Sequence, residues 1–138
     1  HIMPASHALQ TTIYNLLVAA GISGVTKIVD HPIADPNQSD YPFIEIADAQ
    51  DLPVDTDGTG AGDTGVETFL DIHTWSQVRN QKEAKLIMDA IYGALHQQSL
   101  TVTGRNSAIC WFDRGRLITD PDGKTRHGIQ TFRIIHRS

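Results

Sequence analysis

Three sets of residues in this chain carry side chains able to do chemistry. The first is Asp55, Asp57 and Asp63, set around Gly58-Thr59-Gly60-Ala61-Gly62. Acids spaced in this way suggest a hard cation such as calcium, which takes six to eight oxygen ligands. An EF-hand loop counted from Asp55 needs a bidentate acid at its twelfth position and a helix on each side. Val66 stands at that position, and the residues after it alternate as a strand. A calcium- or ligand-binding module on residues 51–65 is therefore the alternative to the main reading below, which expects no metal and no cofactor. The second set is His73, His96, His127 and His136. Three imidazoles converging on an open position would make a catalytic zinc. No two of them share a helix at ligand spacing. His73 reads instead as a strand-surface residue, and His96 as a helix C-terminal residue whose partial positive charge suits the dipole.

The third set is nucleophilic. Cys110 lies inside Ala108-Ile109-Cys110-Trp111-Phe112, an apolar strand segment where a thiol packs rather than reacts. There is no Gly-x-Ser-x-Gly elbow. The glycines at 58, 60 and 62 lack both the lysine and the strand-to-helix setting of a phosphate loop. Glu45, Glu67 and Asp71 fall on strand faces, where acids are mostly solvated. A small hydrolase would need these polar groups to meet in one pocket, so the chain is read as no enzyme.

The elements that position these residues follow from periodicity. Apolar Leu9, Ile13, Leu16, Leu17 and Ala20 give a helix over residues 6–20, with Ser6 as N-cap and Gly21 as stop. Short strands are expected over 26–29 and 42–48, separated by a Pro- and Asp-rich loop. Residues 51–65 read as a long loop between antiparallel strands. From Val66 to Thr74 the chain alternates: Val66, Thr68, Leu70, Ile72 and Thr74 on one face, Glu67, Phe69, Asp71, His73 and Trp75 on the other. The period then changes, and Ala84, Ile87, Met88, Ile91 and Leu95 form a stripe on a helix over 81–95. An edge strand at 100–103 and long strands at 106–119 and 126–136 follow, the former bent near Gly115. Asp120-Pro121-Asp122-Gly123 joins them as a turn. The expected fold class is α+β: a mainly antiparallel sheet of four to five strands, two helices on one face and the other face open.

Composition bounds the rest. The chain has 138 residues, 40% hydrophobic and 20% charged, enough for one domain with a real core. His1-Ile2-Met3 reads as a tag or protease remnant plus start, leaving a domain over 4–138. One cysteine excludes an internal disulfide and a cysteine-built zinc site. A net charge of −5 argues against general phosphate binding. Arg105, Arg114, Arg116, Arg126, Arg133 and Arg137 make the last third more basic, which suits docking to an acidic protein surface. The apolar runs are too short for a bilayer, so no membrane partner is expected and a cytosolic origin is.

Three segments carry a further signal. They are Tyr41-Pro42-Phe43-Ile44; Leu70-Asp71-Ile72-His73-Thr74-Trp75-Ser76, followed by Glu83-Ala84-Lys85 and Ala94-Leu95-His96; and Arg126-His127-Gly128-Ile129-Gln130-Thr131-Phe132-Arg133-Ile134. In this order, with Leu16-Leu17 in the first helix, they resemble the bacteriophage tail-completion family, also described as tail terminators or head–tail joining proteins. The resemblance runs from about Ser6 to the end. It implies a small α+β structural protein, assembled in the bacterial host cytoplasm and found in the virion tail or neck. It also implies a ring, typically a hexamer, that caps the head-proximal end of the tail tube. The partners are then other copies of the chain, the tail tube protein and the head connector protein, without sequence-specific nucleic acid binding. The family brings no catalytic residues. Subunit contacts are expected at the sheet edge, at the acidic loop with Asp55, Asp57 and Asp63, and at the 120–124 turn with Asp122 and Lys124. Trp75, Trp111 and Phe112 are the expected anchors, with Arg114 and Arg116 making polar contacts.

Overall fold

The computed structural model describes residues 5–47, 49–54, 65–78, 80–100 and 107–137. Helix α1 (Ala5–Ala20) is followed by β1 (Lys27–Val29), a single 3-10 turn (Gln38–Asp40), β2 (Phe43–Ile46), β3 (Gln50–Val54) and β4 (Gly65–Ser76). Helix α2 (Lys82–Leu95), β5 (Gln98–Leu100), β6 (Ser107–Thr119) and β7 (Arg126–Arg137) complete the order. One seven-stranded sheet runs β1-β2-β4-β7-β6-β5, with β3 also on β4. Every pairing is antiparallel except β1 with β2.

The strand number exceeds the expected four to five because β2 and β3 share one edge of β4. Ile46 faces Ile72 and Gln50 faces Phe69, so β2–β3 carries one extra residue there, a bulge. The Ala47 N–H bonds to Asp71 O at 3.0 Å, and Gln10 Nε2 of α1 donates to Ala47 O at 2.9 Å. Residues 51–54 are therefore strand, not the start of a loop. Pro53 is accommodated because β3 lies at the sheet margin, where a missing N–H leaves no ladder bond unmade. The connection itself, 55–64, lies outside the described residues.

The two-residue period of β4 sorts its side chains as its sequence predicts. Thr68, Leu70, Ile72 and Thr74 are buried, and Ser76 joins them. Against this face lie Leu9, Ile13 and Leu17 from α1 and Ile87, Ile91 and Leu95 from α2. Ile44, Ile46, Phe132, Ile134 and Cys110 extend the same core. Three expected details differ. The first helix starts at Ala5, which puts Ser6 inside it rather than at its cap. Ala20 is exposed, since the stripe runs out at the last turn. The short edge strand is Gln98–Leu100, so of the expected 100–103 only Leu100 is described as strand, and 101–103 lie outside the described residues. Gly21 does end α1, at φ +60, a conformation open to glycine.

Helix α2 is fixed to the sheet at both ends and in the middle. Ser76 Oγ donates to Glu83 Oε1 at 2.7 Å, joining the end of β4 to the first helical turn. At the other end His96 Nδ1 accepts the Phe112 N–H at 3.0 Å. His96 thus serves β6 as an acceptor, not the helix dipole as a cation. In the middle, Met88 lies over Gly128 of β7. A Cβ on Gly128 would stand 2.5 Å from Met88 Sδ. Gly128→Ala should cost about 1 kcal/mol through this crowding. Met88→Ala in the same chain removes the obstructing atoms, so urea midpoints of the four-member cycle should show the double variant less destabilised than the two singles added together. Strict additivity would mean that Gly128 does not set the approach of α2.

Candidate functional site

The face of the sheet turned away from the helices has no layer over it among the described residues. Strand alternation and register determine what it presents. From β4 come Glu67, Phe69, Asp71, His73 and Trp75; opposite them on β7 stand Ile135, Arg133, Thr131, Ile129 and His127. β6 continues the rows with Ile109 and Trp111, which face Ile135 and Arg133. Between Phe112 and Arg114 the register shifts by one. This bulge lies at Asp113 rather than near Gly115, and it has a consequence for the surface. A strand without it would turn Arg114 and Arg116 toward the helices. The extra residue returns both to the open face, beside Thr131 and Ile129.

The surface mixes apolar and ion-paired groups. Ile109 and Ile118 are exposed large apolar residues on it. Arg133 Nη1 lies 3.5 Å from Glu67 Oε2, Thr131 Oγ1 donates to Asp71 Oδ1 at 2.6 Å, and Arg114 pairs with Asp113. At the end near the 120–125 turn, rings follow one another in contact. Tyr41 meets Phe43 at 5.2 Å and Phe43 meets Trp75 at 6.2 Å, centroid to centroid. Trp75 lies flat on His127 at 3.7 Å, and His73 Nδ1 is 2.6 Å from His127 Nε2. Burial, then the neighbouring His73 and Arg116, push the His127 imidazole down to about 4, so this ring is neutral at pH 7 and an N–H···N bond joins the two. Arginine and tryptophan, set here among aliphatic residues, are residue types enriched at the centres of protein interfaces.

The expected contact residues are placed as follows. Trp75 and Trp111 are partly buried on the open face, and Arg114 and Arg116 are exposed there. Phe112 is on the opposite side, edge-on to Phe132 at 5.6 Å and to Tyr92 at 5.2 Å, so it packs toward the core and does not share a face with Trp111. Asp122 organises its turn: Oδ1 accepts the Lys124 and Thr125 N–H groups, each at 2.9 Å, and Oδ2 the Thr125 hydroxyl at 2.6 Å. These bonds, the hydroxyl first, hold its carboxyl down at about 2. Lys124 is exposed beside it. Asp55, Asp57 and Asp63 lie outside the described residues, and with them the calcium reading.

No group of three or more His, Cys, Asp or Glu among the described residues is arranged to hold a metal. His73 and His127 do meet, which the sequence alone does not reveal; His96 is occupied by β6. The signal for the pair is the direct opposition of Trp75 and His127, and that depends on the β4–β7 register. Cys110 is buried on the helix side, and desolvation pushes its thiol up to about 12, far from a reactive thiolate.

The architecture has close counterparts. A chain from the virion of a native gene transfer agent particle superposes with a TM-score of 0.80 at 18% identity, over 99% of this chain and 100% of that one. A second solved chain gives 0.64 at 8% identity, over 96% and 95%. At such identities these two speak for the fold. In sequence, the tail completion protein gp17 of Bacillus phage SPP1 is 29% identical over 127 residues, spanning 91% of this chain and 89% of that protein. Residues 13–137 match the family described as tail completion protein gp17, and the chain belongs to that family.

Proposed function

We propose that this chain caps the head-proximal end of a phage tail tube as a ring and joins the tube to the head connector, with residues 4–138 acting as one domain and without substrate turnover. Family membership makes it a structural component of a phage tail. The observation that carries the finer reading is the asymmetry of the sheet. One face is sealed by two helices, while the other carries Trp111, Arg114 and Arg116 with no layer over them among the described residues. A ring needs unlike surfaces on the two sides of each subunit, so that head-to-tail contacts close after a fixed rotation. The sheet supplies them, with the short β1 at one edge and the long β6 near the other. Trp111, Arg114 and Arg116 are the proposed contacts between subunits. The 120–124 turn, with Asp122 and Lys124, is proposed to face the connector or the tube.

The test is electron microscopy of the protein mixed with purified tail tubes and free tube protein. Density at one end of each tube, with tube length arrested, is the expected outcome. Tubes that elongate normally with no density at either end would refute the proposal.

A further inference from the structure

Among the described residues, strand β5 covers β6 only along Ala108–Cys110. His96 takes the next outward N–H, that of Phe112. Beyond it, residues 113–119 have no strand partner on that side among the described residues. At about 3.3 Å per residue this is an open edge of about 23 Å. Helix α2 overhangs it. Lys85, Met88, Asp89 and Tyr92, spaced as one helical stripe, face Phe112, Gly115, Arg116 and Leu117 across a groove of about 510 Å³. On its floor lies Gln130, only 4% exposed. Its Nε2 donates to Met88 O at 2.9 Å, while its Oε1 is buried with no donor.

We infer that this groove is a strand-addition site for an extended segment of a different virion protein, a deepening that rests on the tail-completion reading above. The segment pairs with the open edge of β6 through its main chain. It places an apolar side chain between Tyr92, Met88 and Leu117. Arg116 and Lys85 favour an acidic residue in that segment, against the single acid Asp89. A second copy of this chain is a poor occupant. Pairing its own open β6 edge with this one about residue 116 would set Arg116 against Arg116; its other margins are β1, three residues long, and β3, where Pro53 has no N–H to give.

The experiment places a photo-crosslinker in the groove, as Tyr92→p-benzoylphenylalanine, in particles assembled with the variant protein. Peptide mass mapping then identifies what is captured. The expected result is one defined segment of another virion protein. With it should come at least tenfold slower deuterium exchange at the amides of residues 114–118 in tail-bound protein than in free protein. Capture of a second copy overturns the inference. So does the absence of both capture and protection in particles that contain the protein at the tube end, and in that case the tail-completion reading survives alone. Absence of the protein from the tube end refutes both.

Discussion

Phe132→Ala should be the most damaging single truncation in this chain, lowering stability by about 3–5 kcal/mol. Phe132 is fully buried in the middle of β7, opposite Leu70 of β4 on one side and Phe112 of β6 on the other. Its ring meets Phe112 edge-on, an arrangement that adds to simple burial. Truncation leaves a cavity where β4, β6 and β7 are held under α2, and long paired strands cannot easily close it. Against a total stability of about 5–15 kcal/mol for a domain of this size, that loss is a large fraction. Urea unfolding should show it as a lower midpoint at unchanged slope. The contrast lies across the sheet. Ile118 is apolar but on the open face and 40% exposed, so Ile118→Ala should stay within about 0.5 kcal/mol. Equal losses at the two positions would mean that the layers are not as described.

That contrast was legible in the sequence because burial on one face leaves a period of two. From Thr68 to Trp75 the alternation of buried and partly buried residues is the one that the side-chain types announce. The α2 stripe was legible for the same reason, with a period near 3.6. What depends on pairing between distant segments was not. Asp51 and Pro53 carry loop chemistry, and only their ladder with Thr68 and Val66 makes β3 a strand. Sequence alone points to Gly115 for the bend, because glycine is the local signal, while the register with β7 puts the bulge at Asp113. Phe112 is expected as a contact anchor with Trp111, yet adjacent strand residues face opposite sides and it packs on Phe132. The His73–His127 pair needs two strands 54 residues apart in sequence to align, which no local pattern encodes.

That pair sets the second large effect, a loss of stability on acidification that His127→Gln should remove in part. His127 takes up its second proton near pH 4 in the folded chain, against a value of 6.5 for the unperturbed ring. Between these two values the unfolded chain binds more protons, so stability is complete above about pH 6.5 and falls as pH is lowered toward 4. The full gap corresponds to about 3 kcal/mol, and solvent reaching the partly buried ring brings the expected loss to about 2 kcal/mol. Structure explains the direction. The N–H···N bond across 2.6 Å holds one proton, and a further one on His127 would place a cation in a partly buried site against His73 and beside Arg116. Urea midpoints at pH 7.5 and pH 4.5 measure the effect. The parent should lose about 2 kcal/mol more than His127→Gln over this interval, and the His127 Cε1 proton should titrate near pH 4 by NMR. If parent and variant lose equal amounts, or the ring titrates near 6.5, the stacked pair does not exist in solution and the open face is built differently at that end.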